Sequence, residues 1–149
     1  MIKVETALNG VTKLFLDTAP VIYFVEANPK YLQIVESIFD RIENGLTAIT
    51  SPVTLAECLV IPYRLGLMQL QQDFTDLIVD TNNITFTSID EACAKSAADI
   101  RARYNLSLPD ALQISVAIGT GCDTFLTNDV KLKRVTELRV LVIDELNFL

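Results

Sequence analysis

The chain has 149 residues, 50% of them hydrophobic and 21% charged, which fits one globular domain with its own core and excludes a mainly disordered chain. Nineteen acids against twelve bases give a net charge of -7, so the chain does not coat nucleic acid by bulk electrostatics. Having no histidine, it excludes Ser-His-Asp hydrolysis, HExxH proteolysis and His-ligated zinc chemistry; Cys58, Cys93 and Cys122 form no CxxC pair and read as free thiols of a reducing compartment.

The first ten residues, MIKVETALNG, carry the least pattern and read as an irregular lead or part of a partner contact. They hold no signal-peptide core, and no run of about 18 apolar residues follows, so the expected location is cytoplasmic. TKLFL at 12–16, closed by Asp17 and Pro20, predicts a strand followed by a helix to about residue 26. Ile34, Val35, Ile38, Phe39 and Ile42 repeat at the spacing of an amphipathic helix over 30–43, which Asn44-Gly45 ends. LTAIT at 46–50 predicts a second strand. Ser51 and Pro52 then supply the cap and first turn of a helix carrying Glu57, and Pro62 and Gly66 are expected to break that region into short pieces.

A further helix is expected over 68–80 and a third strand over ITFT at 84–87. Ser88 and Glu91 have the spacing of a capping box for a helix running to about Tyr104. Leu108-Pro109-Asp110 starts the next helix, to about Ile118, where Gly119 and Gly121 stop it. A fourth strand (TFL, 124–126), a short helical stretch near 129–135 and a fifth strand (VLVI, 140–143) complete the chain. Short strands separated by helices predict a three-layer α/β/α sandwich around a mostly parallel sheet of about five strands, with residues 1–149 as one domain.

Ligands of such sheets bind at the carboxyl ends of the strands. Asp17 closes the first strand, Asp129 follows the fourth, and Asp110 lies in the first turn of a helix; Glu57 joins them if its helix lies across the same crevice. One such acid alone is an ordinary cap or turn residue. Four together repel one another unless cations neutralise them, and oxygen ligands without imidazole or thiolate suit Mg2+ or Mn2+. Two such ions can activate water and stabilise the leaving oxygen of a phosphodiester.

LFLDTAPVIYF through Phe24, TLAE at 54–57, YNLSLPDALQISVAI at 104–118 and CDTFLTND at 122–129 resemble the PIN-domain nucleases across nearly the whole chain, most closely the VapC-like toxin ribonucleases of toxin-antitoxin pairs. The resemblance puts the family's four acids on Asp17, Glu57, Asp110 and Asp129. It implies a PIN-like fold, metal-dependent endonucleolytic cleavage of RNA to 5'-phosphate and 3'-hydroxyl ends, a homodimer, and inhibition by an antitoxin protein. Asp17 and Asp110 would be the principal metal ligands, Glu57 would support them or orient water, and Asp129 would serve a second ion. Thr127 and Asn128 precede Asp129 in the family's Thr-x-Asp pattern; Thr127 fixes a carboxylate or phosphate or caps the next helix, and capping is the plainer role for Asn128. Thr18 supports the site or caps its helix.

Arg101, Arg103, Lys131, Lys133 and Arg134 are placed to contact RNA phosphates, or else form a solvated face. Tyr104 caps the core or stacks on a base, Tyr23, Phe24 and Phe39 have core spacing, and Cys58 reads as a core thiol. A dehalogenase-like phosphatase would need an acid at Ala19, and a receiver domain an aspartate within LTAITSP at 46–52. The remaining alternatives are a PIN-like RNA- or protein-binding module with little or no turnover, and a nuclease acting on DNA.

Overall fold

The computed structural model describes all 149 residues, Met1–Leu149. After a short strand β1 (Ile2–Lys3) and a one-turn helix α1 (Val4–Ala7), the chain runs β2 (Lys13–Leu16), α2 (Thr18–Val25), α3 (Leu32–Glu43), β3 (Thr47–Thr50), α4 (Pro52–Arg64) and α5 (Met68–Asp80). It continues with β4 (Ile84–Phe86), α6 (Glu91–Tyr104), α7 (Leu108–Gly119), β5 (Thr124–Thr127), a 3-10 turn (Val130–Arg134), β6 (Arg139–Val142), a second 3-10 turn (Ile143–Glu145) and β7 (Leu146–Asn147).

Five strands form one parallel sheet in the order β4-β3-β2-β5-β6. The chain builds outward from β2 to β4, then returns to lay β5 on the other side of β2. The crossovers therefore diverge between β2 and β5, and a crevice opens beyond the carboxyl ends of these two strands.

The two-residue period of the strands divides the core. Leu14, Leu16, Ala48, Leu126 and Leu141 face one layer with Val21, Val35, Ile38, Ile42, Cys58, Phe74 and Ile78 of α2 to α5. Phe15, Ile49 and Phe125 face the other, with Ala97, Ile100, Ala111, Ile114 and Ala117 of α6 and α7. Phe15 and Phe125 are register partners whose rings stack 4.9 Å apart. The sandwich of helix, sheet and helix matches the fold expected from the alternation of elements.

Local differences have physical causes. The first ten residues are not irregular: β1 pairs in parallel with β7, and Val4, Ala7 and Leu8 are fully buried. Pro62 does not break α4, which runs unbroken to Arg64 with the ring buried and is closed by Gly66 in the left-handed conformation (φ +66°). The cap of α6 is Asp90, which accepts from the Cys93 amide, in place of Ser88. Thr87 N still bonds Thr50 O, so residues 88 and 89 are spent in leaving the sheet and the helix starts two residues later. No helix is long and apolar enough to cross a membrane.

Candidate active site

Asp17 follows the last residue of β2 and is 8% exposed. Its amide continues the sheet by donating to Leu126 O at 3.0 Å, which fixes the backbone at the crevice. Its side chain caps α2: Oδ1 accepts from Thr18 N at 2.9 Å, and Oδ2 accepts the Thr127 hydroxyl at 2.8 Å. Thr127, at the end of β5, also accepts the Asp129 amide at 3.1 Å. One buried hydroxyl thus ties the loop holding Asp129 to the carboxylate of Asp17.

Glu57 reaches the crevice from α4, where Thr18 Oγ1 donates to its Oε1 at 2.6 Å. Asp110 lies in the first turn of α7, whose cap is Ser107, and is half-buried. Asp129 caps the 3-10 turn that follows β5 by accepting from Lys131 N at 3.0 Å.

Burial pushes Asp17 up to about 6, against the hydrogen bonds from Thr127 and Thr18 and with added repulsion from Asp110 and Glu57. Burial likewise raises Asp110, which Asp129 raises further while Ser107 and Lys131 lower it. Each of the four acids therefore lies within the field of at least one other. Yet no group of three or more acidic or cysteine side chains is drawn close enough to cage an ion as arranged. The donors are all oxygen, partly desolvated and mutually repelling, a set that suits a hard divalent cation and is relieved by its charge.

The roomiest cavity, about 600 Å³, lies at the other end of the sheet, between Phe24, Phe39, Asp40 and Asn82, and contains none of these acids. Beside Glu57 a shallow apolar groove of about 350 Å³ runs between α4 and α7, lined by Val53, Ala56, Leu108 and Leu112.

The surrounding residues divide by their partners. Thr18 serves Glu57 and not its helix. Asn128 is no cap: its Nδ2 donates to Tyr23 OH at 3.0 Å and its Oδ1 accepts from Asp144 N at 2.8 Å. Arg101 donates to Leu106 O, Arg134 to Tyr104 O and Asn105 O, Arg103 pairs with Asp99 and Glu137, and Lys133 pairs with Glu145. Of the five cations only Lys131 has a side chain without a hydrogen-bonded partner within the chain, and it is the one whose charge reaches Asp110. The Tyr104 hydroxyl bonds Thr136 and Glu137 under the Arg103 guanidinium. Cys58 is 2% exposed and points at Thr18 O, a core thiol that burial raises far above its ordinary range. Three buried polar residues lie beside the acids: Ser51, expected only as a helix cap, and Thr54 and Gln113, for which the sequence suggested no role of their own. The signal was there: Gln113 is a long polar side chain one turn after Asp110, in a stretch (ALQISVAI) whose only other polar residue is Ser115.

Residues 14–138 match the profile of the PIN domain. The chain belongs to the PIN domain family. No curated protein matches the sequence. Among solved structures, this PIN domain is similar to VapBC2 from Rickettsia felis, solved bound to a DNA fragment from its promoter: TM-score 0.70, 18% identity, 87% of this chain and 98% of that one. A toxin-antitoxin complex from Klebsiella pneumoniae aligns at TM-score 0.65 and 17% identity, over 87% and 97% of the two chains. VapC20 of Mycobacterium tuberculosis, described as a toxin that cleaves the sarcin-ricin loop, aligns at TM-score 0.63 and 13% identity, over 75% and 86%. At these identities the likeness is one of fold.

Proposed function

We propose that this PIN domain protein is a divalent-metal-dependent endoribonuclease, a VapC-like toxin of the cytoplasm. The observation that carries the reading is Asp17: a carboxylate buried at the divergence of the sheet, pushed up to about 6 by burial with its acidic neighbours adding to the shift. Ionised at neutral pH, a carboxylate so placed weakens the fold, and a bound cation offsets that cost.

Asp17 and Asp110 would hold Mg2+ or Mn2+ directly, Glu57 would orient a water, and Asp129 would serve a second ion. When bound, such ions lower the pKa of water and stabilise the charge of the leaving oxygen. Thr127 keeps an Asp17 oxygen fixed and the Asp129 loop in register, and Thr18 does the same for Glu57. Lys131, on the rim, would meet a substrate phosphate.

An antitoxin partner is supported by the toxin-antitoxin complexes among the similar folds. A homodimer is supported by the exposed apolar residues of α4, the turn after it and the start of α5: Val60, Ile61, Tyr63, Leu65 and Met68 are each at least half exposed.

The test is cleavage of a pool of single-stranded and structured RNA by the purified wild type, Asp17→Asn and Asp110→Asn, each with Mg2+, Mn2+ or chelator. Metal-dependent cutting by the wild type alone is expected. Cutting by both variants, or undiminished cutting in chelator, would refute the assignment.

A further inference from the structure

A second set of polar side chains lies inside the protein where the elements carrying Asp17, Glu57 and Asp110 meet. Gln113, 1% exposed, stands one helical turn beyond Asp110 on α7. Its Oε1 accepts the hydroxyl of Ser51, the cap of α4, which itself accepts from Val53 N at 3.1 Å. Its Nε2 donates to Thr54 Oγ1 at 2.6 Å, and Thr54 Oγ1 donates at 3.2 Å to the carbonyl of Leu16, the residue before Asp17. Ser51 and Thr54 are fully buried, and Thr54 is one turn before Glu57 on α4.

Apolar side chains fill such space without the need to satisfy every donor and acceptor. Here these bonds are made, and together they require α4, α7 and the end of β2 to keep one mutual placement. The same elements place Glu57 and Asp110 where both repel the carboxylate of Asp17.

We propose that Gln113 is a positioning residue that sets the spacing of Asp17, Glu57 and Asp110 through Ser51 and Thr54. The role rests on reading these acids as a metal site. Gln113 touches neither substrate nor ion; it fixes the elements that carry the three carboxylates, so that a cation has only their side chains to draw together.

The test uses the full chain as wild type, Thr54→Val, Thr54→Ser and the triple variant Ser51→Ala/Thr54→Val/Gln113→Leu, which removes every side-chain polar group of the network. Mn2+ affinity by titration calorimetry, metal-free Tm, and kcat and KM on RNA are measured for each. Thr54→Val keeps the volume and loses the hydroxyl, whereas Thr54→Ser keeps the hydroxyl and loses a buried methyl. Positioning predicts Mn2+ affinity and kcat about tenfold or more below wild type for Thr54→Val and the triple variant, with KM unchanged. Thr54→Ser stays near wild type in both even where its Tm is lower. A merely structural role makes affinity follow Tm, and that result would overturn the proposal, as would a triple variant that binds Mn2+ like wild type. Should the triple variant not fold, the two Thr54 variants decide. Wild type that binds no Mn2+ overturns the metal-site reading and this role with it; equal binding by wild type and variants overturns only the role of Gln113.

Discussion

Asp17 is held by two hydrogen bonds and still resists ionisation, because burial and two neighbouring acids outweigh them. Its folded value of about 6 lies above the 3.8 of an unperturbed aspartate, so between these values the folded chain holds the proton more tightly. Stability contributed by protonated Asp17 is complete below pH 3.8 and is lost as pH rises through about 6. Asp17→Asn removes that loss. In chelator, its stability relative to wild type should climb by about 2 to 3 kcal/mol between pH 4 and pH 7 and level off above, measured by urea unfolding. A flat difference would mean that the carboxylate is not desolvated in solution. Asp17, Asp110 and Asp129 stood out as candidates because an acid after a strand or in a first helical turn is a local pattern, whereas Glu57, in the second turn of its helix, depended on how that helix crosses the crevice. Gln113, Ser51 and Thr54 were not, because their meaning lies in partners from three separate segments; Ser51 showed only its cap.

At the scale of elements, the sheet was readable from apolar runs, and its strand ends moved by no more than a residue or so. The pairing of β1 with β7 was not readable: two residues are too few for a period, and the partner strand is at the other end of the chain. A comparable long-range tie closes β2 to β5 away from the acids. Asp123 Oδ2 accepts from Thr12 N at 2.8 Å, Thr12 Oγ1 at 2.6 Å and Lys13 N at 3.4 Å. Its partial burial acts to raise its pKa, but these bonds and that from Thr124 together hold it below the ordinary carboxylate range. Its contribution is therefore present above pH 3.8 and lost as pH falls below it. Asp123→Ala should cost about 1 kcal/mol at pH 7, with the gap to wild type closing in acid and RNA cleavage unaffected at saturating metal. A pH-independent gap would assign the loss to packing. Arg134 belongs to this scale as well, since it binds the carbonyls that close α6.

For the whole molecule, charge decides what binds. The net charge of -7 opposes RNA, and four acids at one crevice oppose each other. A cation relieves both. Mg2+ or Mn2+ at about a hundredfold its dissociation constant should stabilise the wild type by about 2.7 kcal/mol and leave Asp17→Asn nearly unmoved, read as Tm against metal concentration. Equal shifts in both would place the ion elsewhere. Lys131→Ala should weaken RNA binding and flatten its dependence on salt, whereas Arg134→Ala should lower Tm with the salt slope intact. The opposite pattern would exchange their roles.

The strand order has a consequence for synthesis. β2 emerges early, but the strand that completes one of its edges, and the hydroxyl that fixes Asp17, come from residues 124–127. At about 5 to 20 residues per second, roughly 5 to 20 seconds separate the two during translation. Through that interval the growing polypeptide has one flank of β2 open and lacks both Thr127 and Asp129. No nascent chain shorter than 129 residues therefore holds all four acids of the crevice, and Asp17 waits for the hydroxyl of Thr127 until the sheet closes on its second side.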